Sequence, residues 1–463
     1  MNANVLLHDE PVHTLDEYLE RGGGTGLERA LELGPARTVD ELTQSGLRGR
    51  GGGGFPTGRK WSSVLGGPPG TRYAVCNAGE GEPGTFKDRA ILRNDPYQVL
   101  EGLAIAAHTV GASETFIGLK ASFEREYDAI TRAVVEMEQA GLLDNLTVTI
   151  VPGPEEYLFG EEKAMLEVIE GNDPLPRWLP PYLHGLFVVT PQLGWEPHSG
   201  DVIAGANDGG GEASNPTLVN NVETLACVTH VLARGGDWFR SMGTPESPGP
   251  IVCTVVGDVE RAGVVEVELG TSLADVLDLC GGCPPGRRVK AVLPGVSNAA
   301  LPGTALDTPV SYEGFAAAGS GLGSAGFVVY DDTACMLEVA CVLARFLYVE
   351  SCGQCPPCKL GTGAIARTLA HISAGNADEE DTAQLEHWLA NVADANRCAL
   401  PVEAQNLVPS LLAGFPEDVA AHLEGRCELR HDVAVPKLVD IIDGRARYDE
   451  RQARKRPDWT YAP

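Results

Sequence analysis

The sequence predicts an α/β protein whose layered first part gives way to a small β-rich domain and then to a run of helices. Three observations carry this. Strand-like and helix-like segments alternate through about residue 240, the pattern of a layered α/β domain. From about 247 β-branched runs dominate around one helix-like stretch, which reads as a small β-rich domain. From Phe327-Val328-Val329-Tyr330 the chain enters helical periodicity that continues to about 445. The expected divisions are a lead-in over 1–45, an α/β domain over 46–246, a β-rich domain over 247–326, a helical domain over 327–445 and a polar tail over 446–463.

The elements follow in chain order. LDEYLE and LERALEL in the lead-in both carry helical spacing. A glycine-rich segment occupies 46–56, and Tyr73-Ala74-Val75-Cys76 is a short buried strand that ends in the polar loop 77–84. Residues 97–112 and 124–140 have helical periodicity, and 146–151 alternates with threonine as a strand does. The stretch 192–216, rich in Gly, Asn, Asp, Ser and Pro, reads as a long exposed loop. Runs at 251–256, 263–269 and 289–292 are strands around the helix-like SLADVLDLC. A cluster of cysteines falls between two of the C-terminal helices, and the basic, polar ERQARKRPDWTYAP reads as a surface tail.

Composition narrows the class of function. With 463 residues, 43% hydrophobic and 21% charged, the chain has room for two to four domains with real cores. A net charge of −29 argues against nucleic acid or an anionic membrane surface as the main partner. No apolar run reaches the ~18 residues of a membrane span, and MNANVLLHDEPVHTLDEYLE lacks the basic start of a secretory signal. Twelve cysteines without secretion point to a reducing, cytoplasmic setting in which cysteines are core residues or metal ligands.

The chemistry is concentrated in Cys352-Gly353-Gln354-Cys355-Pro356-Pro357-Cys358 and the lone Cys398. Three thiolates at i, i+3 and i+6 converge on one small inorganic centre if the backbone wraps it, and a distant fourth closes the site. That pattern suits a [4Fe–4S] cluster. Four cysteines also suit tetrahedral zinc, although zinc ribbons usually show two separated CxxC pairs.

A cluster makes the chain an electron carrier, so a site that loads electrons is expected too. Gly49-Arg50-Gly51-Gly52-Gly53-Gly54 formally matches GxGxxG, but a helix-like segment precedes it rather than a strand. A flexible linker is the plain alternative. Against it, Arg48, Arg50, Arg59 and Lys60 flank the glycines, and bare amides with cations are what a phosphate-bearing cofactor needs. In the loop 77–84 after the first strand, the two carboxylates Glu80 and Glu82 suit hydrogen bonds from ribose or ribityl hydroxyls; alone, the segment reads as a polar turn. Glu161-Glu162 beside Gly160 reads alone as a surface pair. Asn220-Asn221 with Thr224 suits a flavin ring edge or, more simply, a helix N-cap. The lone Cys280-Gly281-Gly282-Cys283 reads as incidental, Cys76, Cys227, Cys253, Cys335 and Cys341 as core, and Cys427 as a free thiol. The ten histidines show no metal spacing.

In order along the chain, GLRGRGGGGFPTGRKW (46–61), CNAGEGEPGTFKDR (76–89), PTLVNNVETLA (216–226) and ESCGQCPPCKLGTG (350–363) resemble the F-type, NADH-binding flavoprotein subunit of respiratory complex I. The same module recurs in NAD-linked formate dehydrogenases and NAD-reducing hydrogenases, and the resemblance runs from Gly46 to about Pro401. It implies a Rossmann-like FMN/NADH domain, a β-grasp (SLBB-like) domain and a helical domain holding one [4Fe–4S] cluster. The implied activity is that of an NADH dehydrogenase (diaphorase): hydride passes from NADH to FMN, then single electrons pass to the cluster and on to a partner. Positions matching Gly49, Arg50, Gly51, Gly52, Lys60, Asn220, Asn221 and Thr224 contact FMN in the family. Glu82 corresponds to an acid that binds the NADH ribose and disfavours a 2′-phosphate, and Phe55 to an aromatic that stacks on adenine. Gly160, Glu161 and Glu162 correspond to residues beside flavin and nicotinamide, and Asn77, Glu80 and Tyr157 are further candidate cofactor contacts. No acid–base catalyst is expected, and the four cluster ligands are Cys352, Cys355, Cys358 and Cys398.

The chain departs from the family pattern in ways that bear on NADH more than on FMN. Gly79 stands where Asp is usual, and the turn before the paired acids is Gly153-Pro154-Glu155-Glu156. Leu179 stands where a lysine commonly helps bind NADH, with Arg177 as a possible substitute, and Ser63 where a second adenine-stacking aromatic is common. The connection 183–215 is longer than usual. The alternative is therefore a flavin/iron–sulfur electron-transfer protein that no longer oxidises NADH productively; a zinc-stabilised scaffold is a third reading. Expected partners are a separate thioredoxin-like [2Fe–2S] subunit and further electron-transfer subunits, with no nucleic acid and no direct membrane insertion.

Overall fold

The computed structural model describes residues 4–188 and 214–462, so the expected loop at 192–216 and most of the long connection 183–215 lie outside the described residues. The chain divides into two compact units. The first comprises Met1–Glu80, Lys87–Ile251 and Glu266–Leu269, and the second Gly81–Phe86, Val252–Val265 and Gly270–Pro463.

In the first unit, α1 (Leu15–Glu20) and α2 (Thr25–Ser45) form the lead-in, α2 breaking at Gly34 ahead of Pro35. There follow α3 (Thr57–Leu65), β1 (Tyr73–Ala78), α4 (Lys87–Asn94), α5 (Pro96–Val110), β2 (Glu114–Lys120), α6 (Glu124–Gln139), β3 (Thr147–Gly153), α7 (Glu162–Ile169), β4 (Thr217–Asn221), α8 (Val222–Arg234) and α9 (Gly236–Arg240). The four strands form one parallel sheet in the order β3-β2-β1-β4. β1 is a continuous apolar run because both its faces are covered. The chain builds outward from β1 through β2 to β3, then returns to the other side of β1 with β4. The connections therefore diverge between β1 and β4, and at such a switch point a crevice opens outside the carboxyl ends of the strands.

Sequence periodicity passed over β2, since Gly118 interrupts its apolar run. A Cβ there would lie 2.7 Å from the Met165 sulfur, so packing demands the glycine. α5 is apolar nearly all round because it is buried nearly all round. Asp95 caps it, accepting from the amides of Tyr97 and Gln98, Pro96 opens its first turn, and Gly111 ends it in the left-handed region. At Gly102 a Cβ would sit 2.1 Å from the Leu225 carbonyl oxygen, so α5 and α8 meet backbone to backbone.

The second unit carries most of β5 (Pro250–Gly257), the first half of β6 (Gly263–Glu268), α10 (Leu273–Asp278), β7 (Val289–Pro294), β8 (Leu301–Pro302), α11 (Tyr312–Ala317) and β9 (Gly326–Asp331). Its mixed sheet runs β6-β5-β9-β7-β8. The helices α12 (Met336–Glu350), α13 (Pro356–Ser373), α14 (Glu379–Asn391), α15 (Leu400–Gly414) and α16 (Pro416–Leu423) follow.

Helix does not continue to 445 as periodicity predicted. It stops at Leu423, and β10 (Leu438–Ile442) pairs antiparallel with β11 (Arg445–Tyr448) around Asp443-Gly444, both at positive φ. Asp-Gly between β-branched residues is a strong hairpin signal. Nor is the C-terminal stretch an exposed tail. Lys455 is fully buried, its Nζ 2.9 and 2.8 Å from the two carboxylate oxygens of Glu350, and Gln452 donates to the same carboxylate at 2.9 Å. Residues 452–455 are thereby locked onto the last turn of α12, the turn that hands the chain to Cys352. No helix among the described residues is long and apolar enough to cross a membrane.

Candidate functional site

The glycine-rich segment is a closed loop rather than a linker. The Gly49 amide donates to the Phe55 carbonyl at 2.8 Å, the Thr57 amide to Leu47 at 2.9 Å, and Arg48 Nε to the Gly54 carbonyl at 2.8 Å. The loop is fixed to α8 where the Arg50 amide donates to Thr224 Oγ at 2.9 Å. It borders a cavity of about 520 Å³ at the carboxyl ends of β1 and β4, well within the ~300–1,000 Å³ typical of cofactor sites.

Gly49, Gly51, Phe55, Lys60, Asn77, Gly160, Glu161, Glu162, Asn220, Asn221 and Thr224 all line this cavity, so most of the sequence candidates converge. The sheet register explains part of it: Cys76 pairs with Asn220 and Asn77 with Asn221 across β1 and β4. The first turns of three helices also reach the cavity, through Thr57 and Lys60 of α3, Glu162 of α7 and Thr224 of α8. Helix N-termini carry partial positive charge and suit an anion, and of the three only α3 has no side-chain cap, since Glu161 and Asn221 accept from the first amides of α7 and α8.

Four cations were candidates for neutralising phosphate, and only Lys60 lines the cavity. Its Nζ is 2.6 Å from Glu162 Oε2, both side chains about one-third exposed. Arg48 closes the loop, Arg59 lies over the Phe55 ring at 5.6 Å, and the buried Arg50 donates Nη2–H to the Pro248 carbonyl at 3.0 Å. Glu161 caps α7, accepting from the amides of Lys163 and Ala164 at 2.9 and 3.0 Å. Burial pushes its carboxyl up to about 7, with Lys163 opposing and Glu162 adding to the shift.

The amides divide their work. Asn220 Oδ1 accepts from the indole N–H of the buried Trp61 at 2.9 Å, leaving Nδ2 for the cavity. Asn221 is held from beneath: it accepts from Lys87 Nζ at 3.0 Å and donates to Asp88 at 2.7 Å. Lys87 also pairs with Asp88 and Glu223 at 2.7 and 3.0 Å, and all three are buried. Burial raises the Asp88 carboxyl above its ordinary range even against the Lys87 ammonium. Asn77 bridges the Gly160 carbonyl and the Gly79 amide at 2.8 and 3.1 Å.

Gly52, Arg50, Glu80, Glu82 and Tyr157 lie outside the cavity lining. Glu80 is buried in an ion pair with Arg89 at 2.9 Å and accepts from the Asp88 amide at 3.1 Å. Glu82 belongs to the second unit, where its Oε1 accepts from the Val296 amide at 2.7 Å and from Ser297 Oγ at 3.0 Å. Tyr157 opens the single turn Tyr157–Gly160. Arg177 is not placed to replace a lysine at Leu179: its buried guanidinium pairs with Glu167 and Glu170, both at 2.5 Å, and donates to the Gly185 carbonyl at 2.6 Å. Gly79 has a packing reason, since a Cβ there would meet Met165 Cε at 3.0 Å and Phe159 at 3.1 Å. Ser63 does line the cavity, and so does Tyr182, an exposed aromatic that sequence reasoning missed. The signal available was its place directly after Pro180-Pro181.

In the second unit, Cys352 and Cys355 stand near enough to Cys358 for their charges to act on it. Burial, the largest influence, and those two neighbours push the Cys358 thiol up to about 11, although Ser351 Oγ at 3.3 Å opposes this. A metal ion overcomes such a shift by binding the thiolate outright. Cys355 is the N-cap of α13, which places its thiol at the start of that helix. Lys359 donates to the Ser351 and Pro457 carbonyls, each at 2.7 Å, tying the motif to the C-terminal segment. Cys398 lies just ahead of α15. All described cysteines are free of disulfides, a donor set suited to a thiolate-bound cluster. Cys280 and Cys283 are likewise unlinked, with the Cys283 thiol donating to the Asp258 carbonyl at 3.4 Å.

Comparison with known proteins agrees with this layout. Residues 42–230 match the family model of the Nuo51 FMN-binding domain, 252–293 an SLBB domain, and 338–422 the NADH-ubiquinone oxidoreductase-F iron-sulfur binding region. The chain is similar to the F 2 subunit of the NADH-quinone oxidoreductase of Rhizobium meliloti (strain 1021), 38% identical over 436 residues that cover 91% of this chain and 98% of the relative. It is 34% identical to the HndC subunit of the NADP-reducing hydrogenase of Solidesulfovibrio fructosivorans, covering 89% of this chain and 81% of that one. Among solved structures it superimposes on the air-oxidized NAD+-reducing [NiFe]-hydrogenase with a TM-score of 0.73 at 32% identity, covering 89% of this chain and 67% of the other.

Proposed function

The chain belongs to the F-type flavoprotein family of NADH-quinone oxidoreductases, and from that premise we propose how its own residues serve the NADH dehydrogenase reaction. It is an FMN- and [4Fe–4S]-binding oxidoreductase subunit that passes electrons to partners. When bound along the cavity edged by the 49–54 loop, FMN would supply the conversion of a two-electron hydride donor into single electrons, and a [4Fe–4S] cluster on the four cysteines would supply one-electron acceptance.

The observation that carries the reading is the cavity at the β1/β4 switch point, edged by bare glycines and the uncapped N-terminus of α3. The amides of Gly51, Gly53 and Gly54, which line the cavity, and the first turn of α3 receive the flavin phosphate, with Lys60 as the neutralising cation. Asn220 Nδ2 meets the polar edge of the ring, while Asn221 and Asn77 keep the β-strand ends in place. Phe55 and Tyr182, both exposed at the mouth, supply faces on which an adenine can stack. Cys352, Cys355, Cys358 and Cys398 hold the cluster. None of these groups needs to act as an acid or base; they bind, orient and offset charge.

The test is anaerobic addition of NADH to cofactor-replete protein while following flavin absorbance at about 450 nm. Rapid bleaching is the expected result. Absence of bleaching, with dithionite still reducing both centres, would favour the second reading, an electron carrier that no longer oxidises NADH. That reading draws its support from Arg177, whose guanidinium is already committed, and from Ser63 and Leu179 where the family usually has an aromatic and a lysine. We further place the protein in the cytoplasm and assign it a thioredoxin-like [2Fe–2S] subunit as its immediate partner, which co-purification of a second iron–sulfur protein would test.

A further inference from the structure

Within the second unit, a set of metal-ligating side chains lies apart in sequence from the cysteine motif. Cys335 immediately precedes α12, His422 sits in the last turn of α16, and Cys427 and His431 follow it in the irregular stretch before β10. The ligand atoms of Cys335, His422 and Cys427 all fall within 4.8 Å of one another, and those of Glu338, His422 and His431 form a second such group that shares His422. Cys335 Sγ is 3.2 Å from His422 Nε2, and Cys427 Sγ is 3.3 Å from His431 Nε2. Around a tetrahedral zinc with bonds of about 2.3 Å to sulfur and 2.0 Å to nitrogen, sulfur and nitrogen stand roughly 3.5 Å apart. The thiol–imidazole distances are already close to that value.

Three further features match a site rather than a chance cluster. First, the tautomer is set. His422 Nδ1 lies 2.7 Å from the Ser373 carbonyl, which can only accept, so Nδ1 carries the proton and Nε2 presents a lone pair toward Cys335. Ser373 Oγ in turn donates to Glu338 at 2.5 Å. Second, the backbone that supplies the ligands is held together. The Arg430 amide donates to the Thr333 carbonyl at 2.7 Å and the Cys335 amide to the Arg430 carbonyl at 3.2 Å. Asp418 accepts from the Met336 amide at 2.7 Å and pairs with Lys290 at 2.7 Å, joining the first turn of α16 to the start of α12. Third, burial is graded: Cys335 and His422 are buried, Cys427 is half-buried and His431 is exposed, its ring stacked on His422 with centroids 4.9 Å apart.

We propose that Cys335, His422, Cys427 and His431 form a structural zinc site that staples the start of α12, the end of α16 and the chain leading to the β10–β11 hairpin. Two thiolates and two imidazoles are a donor set for tetrahedral zinc, and four protein ligands leave no open position for catalysis. The first ligand lies 87 residues before His422, which is why the sequence read Cys335 as core, Cys427 as a free thiol and the histidines as scattered. On binding, each thiol gives up its proton to solvent and the ion takes its place between sulfur and imidazole. α12 is then held at both ends, by zinc before Met336 and by Lys455 at Glu350.

The test is metal analysis of the holoprotein as purified. About one zinc per chain is expected in addition to the cluster iron, and X-ray absorption at the zinc edge should show mixed sulfur and nitrogen ligands at about 2.3 and 2.0 Å. Cys427→Ser and His422→Gln should each lower bound zinc by about tenfold or more while iron and FMN per chain stay unchanged. If either variant does not fold, the absorption spectrum of the unaltered protein decides on its own. Protein grown with zinc that carries none, zinc unchanged in both variants, or zinc with only sulfur ligands that vanishes with Cys355→Ala would each overturn the proposal. Metal content is read independently of NADH oxidation, so its outcome does not depend on the proposed function.

Discussion

Gly53 separates a cofactor cradle from a linker more cleanly than any other residue of the loop. A Cβ at Gly53 would have no protein atom within 4 Å, and its φ lies outside the left-handed region, unlike Gly52 at 120° and Gly54 at 58°. Gly53→Ala therefore meets neither strain nor clash in the protein itself. Restricting the unfolded chain should stabilise the fold by about 0.4–1 kcal/mol. Yet Gly53 lines the cavity, so the added methyl enters the space assigned to the flavin phosphate. Losing one hydrogen bond to a charged group costs about 1.5–3 kcal/mol, roughly ten- to 150-fold in dissociation constant. Gly53→Val should weaken binding further. The assay is titration of apoprotein with FMN by flavin fluorescence, paired with chemical denaturation of the same samples. Flavin affinity within about twofold of the parent for both variants, at undiminished stability, would refute the cradle and restore the linker. Gly51→Ala is the useful contrast, because its Cβ would press on Asn221 Cβ at 3.1 Å and disturb the protein directly.

Lys455→Met leaves the Glu350 carboxylate buried without its cation, which should cost about 3–5 kcal/mol and lower the unfolding temperature by roughly 3–5 °C on calorimetry if the chain unfolds as one; a cost under about 1 kcal/mol, as for an exposed pair, would mean that the C-terminal segment is not docked there. The double variant Glu350→Met, Lys455→Met should recover much of the loss. Glu82→Ala removes the acceptor for Val296 and Ser297 and should destabilise by about 1–3 kcal/mol; a rise in the NADPH/NADH ratio of kcat/KM would show a ribose role as well, and an unchanged ratio would leave only the loop tie. The Glu161 carboxyl is raised by burial from 4.5 to about 7, so its protonated form is favoured in the fold. Its stabilising contribution is complete below about pH 4.5 and is lost as pH rises through about 7. Denaturation midpoints between pH 5 and 8 should therefore fall less steeply in Glu161→Gln, and identical slopes would refute the shift.

How much of this was legible in the sequence depended on whether the signal was local. The cysteine run, the glycine loop and the apolar strand β1 are each contiguous: β1 forms where its apolar run lies, the glycine segment is a loop bordering the cavity, and the cysteine run falls within the matched iron–sulfur region. β2 was missed because Gly118, demanded by the Met165 sulfur, breaks its pattern. The β10–β11 hairpin was absorbed into a helical expectation although Asp443-Gly444 announced it. The polar C-terminal residues read as a solvated tail because nothing in ERQARKRP reveals that Glu350, a hundred residues earlier, awaits Lys455 and Gln452. Arg177 looked available for NADH because Glu167 and Glu170, on the preceding helix and at its C-cap, are ordinary surface acids until the fold brings them to its guanidinium. In each case the missing information was a partner distant along the chain or a packing demand, neither of which periodicity encodes.

The same distinction reorders the residues around the cavity. Glu80, expected at a ribose, instead accepts from the Asp88 amide and pairs with Arg89, which fixes the first turn of α4. That turn carries Lys87 and Asp88, which hold the two ends of the Asn221 amide. Asn221 Cβ in turn limits how close the loop can approach at Gly51. Replacing a buried ionic network by apolar groups is often neutral for stability, so what this one contributes is position: it leaves Asn221 a single orientation and the loop a single height above β4. A change at Glu80 should therefore reach the flavin site through Asp88 and Asn221, shifting FMN affinity without altering the choice between NADH and NADPH. A change at Lys60 or Gly53 acts on the cavity directly. Motif matching places all of these residues in one class, whereas the hydrogen bonds divide them into those that line the site and those that hold it in shape.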